Sequence, residues 1–144
     1  MPTILNNYGN VTTLETTSLN SLANNTLFTS GPIDNTSNKY DDYLIELFVA
    51  SFTPSGNQIC FLYVIPSLDG TSYATVSASN LGVAANLGHL PLLGSGGWRS
   101  RPLSVRAACE NMPPYFKIGI YTDNGASWAA SGNALIYRAA YRSF

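Results

Sequence analysis

The chain has 144 residues, which suits one domain able to bury a core without disulfide or metal staples. Only 10% of residues are charged, against a usual share of about 25%, and the net charge is −1. There is thus no bulk field to gather nucleic acid or an anionic membrane, and Asn, Ser, Thr and Gly replace the missing charge, as in a turn-rich β protein.

Residues 1–24 are polar, with isolated Ile4, Leu5, Val11, Leu14, Leu19 and Leu22. The leucines at 19 and 22 permit one helical turn, but the surrounding Ser, Asn and Thr argue against a longer helix. The segment reads as an extended arm or an edge strand, and residues 25–144 as the folded domain. The start, MPTILNNYGNVTT, has no basic n-region and no long apolar core, so no signal peptide is expected. No stretch approaches the ~20 apolar residues of a membrane helix. The Asn10-Val11-Thr12, Asn24-Asn25-Thr26 and Asn35-Thr36-Ser37 triplets match the glycosylation pattern, but Asn and Thr are abundant throughout.

Residues 27–30 read as a short strand closed by Gly31-Pro32, and 34–38 as a loop. Residues 43–52 (YLIELFVASF) and 58–67 (QICFLYVIPS) are β-rich runs joined by Thr53-Pro54-Ser55-Gly56-Asn57, which predicts a β-hairpin. In the first run Tyr43, Ile45, Leu47 and Val49 share one face and Leu44, Glu46, Phe48 and Ala50 the other. Both faces are apolar, so both need cover; Glu46 is expected to be paired or only partly dry. Ser67-Leu68-Asp69-Gly70 is a turn. Residues 74–100 carry scattered leucines and a Gly94-Ser95-Gly96-Gly97 tip, and read as a long contact loop. Residues 101–110, 115–122 and 133–141 read as strands, the last two separated by an Asn124-Gly125 turn. Short strands and regular turns predict an all-β, antiparallel two-sheet β-sandwich.

Cys60 and Cys109 fall inside these strands and are expected as free, buried thiols. His89 is the one histidine and has no nucleophile motif around it. With two cysteines and one histidine the chain lacks the four ligands of a structural zinc site. The carboxylates Asp41, Asp42, Glu46, Asp69, Glu110 and Asp123 show no spacing of a glycosidase pair. Asp69-Gly70 and Asp123-Asn124-Gly125 are turn chemistry before they are calcium ligands. The glycine tip lacks the Lys-Ser/Thr of a phosphate loop, and the arginines are too few for a nucleic-acid footprint. Neither catalysis nor a cofactor is expected. Trp98, Trp128, Tyr73 and Tyr121 lie in or beside loops, where rings cover sandwich ends, stack on sugars or fill a partner's pockets.

Residues 1–72 hold six acids and one base, and residues 73–144 six bases and two acids. If that asymmetry survives folding it favours ordered contacts between copies. Thr17-Ser18-Leu19-Asn20-Ser21-Leu22-Ala23-Asn24, Pro66-Ser67-Leu68-Asp69-Gly70-Thr71-Ser72-Tyr73 and Asp123-Asn124-Gly125 followed by Ala129-Ala130-Ser131-Gly132-Asn133-Ala134-Leu135-Ile136-Tyr137-Arg138 occur in this order. Together they resemble small virion proteins of tailed bacteriophages, similar to jelly-roll head decoration (cement) proteins, over residues 12–141. The resemblance implies a jelly-roll-like sandwich, made in the host cytoplasm, that binds the outer surface of the icosahedral head as dimers or trimers. Its partners would be the major capsid protein and neighbouring copies. The resemblance brings no active site.

The candidate contacts are Leu14, Leu19 and Leu22 in the arm, Leu87, Leu90, Trp98 and Arg99 in the long loop, and Trp128. Deleting residues 2–20 is expected to abolish capsid binding and leave the fold intact. The alternative is a tail-associated or lectin-like module that binds host glycans through the loop aromatics.

Overall fold

The computed structural model describes residues 5–94 and 96–143. Residues 1–4 of the expected arm and Ser95 of the glycine tip lie outside them. Among the described residues the strands are β1 (Leu5–Tyr8), β2 (Thr12–Glu15), β3 (Thr26–Thr29), β4 (Ile33–Asp34), β5 (Asp42–Val49), β6 (Ile59–Ser67), β7 (Ala85–Pro91), β8 (Trp98–Arg99), β9 (Leu103–Ser104), β10 (Tyr115–Thr122) and β11 (Ala134–Ser143). One α-helix, α1 (Val105–Cys109), and 3-10 turns at Thr17–Leu19 and Leu81–Val83 join them.

Two antiparallel sheets pack face to face. The first runs β1-β11-β5-β8, with β2 also on β11 and β9 also on β5; the second runs β3-β10-β6-β7, with β4 also on β10. Taking each broken edge as one column, the eight columns in chain order lie 1-8-3-6 in the first sheet and 2-7-4-5 in the second. That is the double Greek key of a jelly roll. The expected two-sheet sandwich is therefore present.

Period-two alternation builds the core. Ile45, Leu47 and Val49 of β5 and Leu135 of β11 face Cys60, Leu62 and Val64 of β6 and Phe116, Ile118 and Ile120 of β10, all with no exposed surface. At one end the rings of Tyr43, Phe116 and Tyr137 cluster, with Tyr43 centred 5.2 Å from Phe116 and 5.5 Å from Tyr137. Burial, then the neighbouring Tyr137 and Tyr40, pushes the Tyr43 hydroxyl up to about 12.

Three expectations are corrected. The runs at 43–52 and 58–67 are strands but not a hairpin: β5 pairs with β11, β8 and β9, while β6 pairs with β10 and β7. Their connection crosses from one sheet to the other, and Ser55 N and Gly56 N donate to Asn124 O at 2.9 and 3.0 Å. Residues 101–110 are not one strand. After two residues of β9 the chain turns into α1, where Ser104 Oγ accepts from Ala107 N at 3.0 Å as the N-cap. Cys109 therefore lies on a helix, half-buried, with Ala107 exposed. Within the expected long loop, residues 85–91 form a full strand on the edge of the second sheet. Of the two readings of residues 1–24, arm or edge strand, the second describes β1 and β2. β1 and β2 are hydrogen-bonded to β11, and Leu19 and Leu22 belong to the core.

Candidate interaction surface

Each sheet turns a second set of side chains away from the core. On the first sheet these are Asp42, Leu44, Glu46 and Phe48 of β5 and Ala134, Ile136, Arg138 and Ala140 of β11, with Tyr8 registered opposite Ala140 and Arg99 opposite Phe48. Tyr8, Val11 and Phe48 are 56%, 54% and 38% exposed. A shallow hollow of about 350 Å³ lies over Tyr8, Val11, Leu44, Pro102, Ile136 and Arg138.

Charges on this face are mostly engaged. Glu46 pairs with Arg99, which answers the charge expected to need a partner; this is the one ion pair among the described residues. Asp42 accepts from Ser104 Oγ at 2.5 Å and from Arg106 N at 2.9 Å, and Asp41 accepts from Arg142 N at 2.8 Å. The acids thereby tie down backbone and hydroxyl donors, while Arg138 stays exposed.

The outer face of the second sheet carries Ile59, Phe61, Tyr63 and Ile65 of β6 and Tyr115, Lys117 and Tyr121 of β10. It is better covered: Phe61, Tyr63 and Tyr121 are half-buried, and Lys117 Nζ lies 4.2 Å above the Tyr73 ring from the following loop. Gly119 leaves the space between Leu27, Tyr63 and Ile65 in which these side chains close together. His89, on the neighbouring strand, is exposed opposite Phe61.

Most of the expected contact residues lie elsewhere. Leu19, Leu22, Leu87, Leu90, Trp98 and Trp128 are buried in the protein's own core, and Leu14 is half-buried against it. Arg99 alone is exposed, beside Glu46. The two tryptophans do not offer their rings to a sugar. Trp98 Nε1 donates to Leu93 O at 2.9 Å, and Trp98 packs edge-on against Phe52. Trp128 Nε1 donates at 3.1 Å to the Asn124 side-chain oxygen, with the amide turned so that its nitrogen reaches Ala126 O. Tyr121 is half-buried, its hydroxyl donating to Asn25 Oδ1 at 3.4 Å. What sequence reasoning missed is the set Tyr8, Leu44, Phe48, Ile136 and Arg138. The signal was present in the doubly apolar alternation of β5, whose second face needs cover.

The polar clusters are turns. Asp69 Oδ1 accepts from Ser72 N at 2.7 Å and Thr71 N at 2.8 Å, and Asp123 Oδ2 accepts from Asn57 Nδ2 at 2.8 Å. Among the described residues no three His, Cys, Asp or Glu side chains converge as metal ligands, and no helix is long and apolar enough to cross a membrane. Cys60 and Cys109 are unbridged, and burial pushes the Cys60 thiol up to about 12 and the Cys109 thiol in the same direction.

No protein-family model matches the chain, and no curated protein matches it. Among solved structures, the crystal structure of FLHE is similar over 97% of this chain and 95% of that one, at 7% identity and a TM-score of 0.32.

Proposed function

We propose that this protein is a structural component of a tailed-phage virion, a decoration (cement) protein. It sits on the outer surface of the head and stabilises it through contacts with the major capsid protein and neighbouring copies of itself. The observation that carries the reading is the outer face of the first sheet, where Tyr8, Val11, Leu44, Phe48 and Ile136 present apolar surface to solvent. Exposed apolar surface of this kind, here interleaved with Glu46, Arg99 and Arg138, marks a protein-binding face. The jelly-roll column order also agrees with the fold that the sequence resemblance implies. Burial of Trp98 and Trp128 removes the two rings that best motivated glycan recognition.

The physical effect is mass action. A protein that binds the assembled shell and not its separated subunits shifts the balance toward the shell. With many symmetric copies, about 1,000 Å² of contact per copy suffices. The test is co-sedimentation of the purified protein with heads that lack it. Saturable binding at hundreds of copies per head is expected. Absence from heads, with a few copies in tails, would replace this reading with the tail-associated one.

A further inference from the structure

The four outward side chains at the middle of the first sheet form a checkerboard. Leu44 and Glu46 are successive on the outer face of β5, and β11 places Arg138 opposite Leu44 and Ile136 opposite Glu46. One diagonal of this block is apolar, Leu44 to Ile136. The other joins opposite charges, Glu46 and Arg138. Glu46 meets Arg99 through Oε1, which leaves Oε2 for a second guanidinium. Arg138 is exposed and has no ion pair among the described residues.

We propose that this face is the seam of a homodimer, occupied by the same face of a second copy of the chain. A two-fold axis lying in the seam acts on the map of one face as a reflection, so four axes through the centre of the block bring its corners onto one another or, for the diagonals of a block of about 4.8 by 6.6 Å, within a few ångströms, which long side chains span. An axis along the strands sets Leu44 on the partner's Arg138 and Glu46 on the partner's Ile136. An axis across the strands sets Glu46 on the partner's Leu44. An axis along the charged diagonal sets Glu46 on the partner's Glu46. Only the apolar diagonal satisfies every group. It stacks Leu44 on the partner's Leu44 and Ile136 on the partner's Ile136, and it joins Glu46 to the partner's Arg138 twice over. Isologous interfaces require this kind of self-complementarity.

The size is adequate. Four columns spaced ~4.8 Å and about eight residues long at ~3.3 Å each span roughly 500 Å² per copy. Two such faces reach the ~1,000 Å² at which a specific interface becomes viable. Tyr8, Val11 and Phe48 ring the block and exclude water from the two new ion pairs.

The inference rests on the structural reading above and assigns its copy-to-copy contact, but it is tested on free protein, so loss of dimer and loss of shell binding are separate results. Light scattering and sedimentation of the full chain should give twice the 15.4 kDa chain mass. Arg138→Glu places like charges together at two positions and should raise the dimer dissociation constant about a hundredfold or more. Glu46→Lys should do the same. An equal mixture of the two variants should regain the dimer, because each copy then supplies the charge that the other lacks. Circular dichroism establishes the β fold of each variant before mixing. Leu44→Asp, on the apolar diagonal, replaces E46K if that chain does not fold, and must give monomer. A monomeric or trimeric wild type, a dimer that R138E leaves intact, or a mixture of folded R138E and E46K that stays monomeric would overturn the proposal.

Discussion

Asn133 grips the backbone of Ala50: its side-chain oxygen accepts from Ala50 N at 2.9 Å just where β5 leaves the first sheet. Its amide nitrogen donates to Ala129 O at 2.9 Å, Asn20 Oδ1 at 3.0 Å and Leu19 O at 3.3 Å. One buried side chain thus joins the segment after β2, the end of β5 and the lead-in to β11. Asn133→Ala leaves several buried partners unsatisfied and should lower the unfolding free energy by about 2–4 kcal/mol. Asn133→Asp keeps the acceptor but turns an oxygen toward carbonyls, and should cost as much. Urea unfolding of both variants, with unchanged m-values, checks this.

Leu19 explains why the first twenty residues are not a detachable arm. It is fully buried among core residues, and its neighbour Ser21 N donates to Ala129 O at 2.9 Å. Leu19→Ala should cost about 2–5 kcal/mol. Deleting residues 2–20 also strips β1 and β2 from β11, so the truncated chain should lose its cooperative thermal transition. A truncated protein that still unfolds cooperatively near the wild-type temperature would contradict this assignment.

The Asp69 turn sets an acid response. Ser72 N, then Thr71 N, hold the Asp69 carboxyl well below its ordinary 3.8. Hydrogen bonds from Thr36 act in the same direction on Asp34, and from Ser18 on Glu15. A carboxyl lowered in the folded state contributes stability that is present above its unfolded value and is lost as pH falls through the folded one. Stability should therefore be level from pH 7 to about 5 and fall below about 4. In Asp69→Asn that fall should be shallower, as read from urea midpoints at pH 7, 4 and 3.

The two thiols should react in order. Cys60 is buried, with Sγ 3.7 Å from Leu90 O, and its value is raised from 9.0 to about 12. Cys60 is thus held protonated at pH 8, and its burial also denies a reagent access. A colorimetric disulfide reagent at pH 8 should label Cys109 first, and Cys60 only after denaturant is added. Cys109→Ser should abolish the native-state reaction; persistence of that reaction would place Cys60 in reach of solvent.

The four central columns were legible from sequence because β5, β6, β10 and β11 alternate strongly or are apolar throughout. Pairing was not legible. A nine-residue connection such as 50–58 suits a hairpin or a crossing between sheets equally well, and alternation is blind to which strand lies alongside. β7 was hidden because Asn86, Gly88, His89 and Pro91 are poor strand formers, tolerated here at a sheet edge. The turn into α1 was masked because Leu103 and Val105, two residues apart, are both buried, as a strand would have them. For the candidate surface, exposure in a loop proved the wrong guide. Trp98, Leu87 and Leu90 are core, whereas Leu44, Phe48 and Ile136, written inside strands, face outward. Burial is decided by which sheet a strand joins, and a side chain's chemistry alone does not encode that.

The position of β11 has a consequence for synthesis. It lies between β1 with β2 on one side and β5 on the other, so the first sheet has no middle until residues 134–143 are made. A ribosome holding a nascent chain shortened by twenty residues would present β5 and the N-terminal strands as open, unpaired edges. The second sheet, whose columns end at Thr122, can close earlier. The molecule should therefore emerge half-built, dependent on chaperones until its last strand slots in, and an early stop codon should yield aggregate in place of a smaller soluble domain.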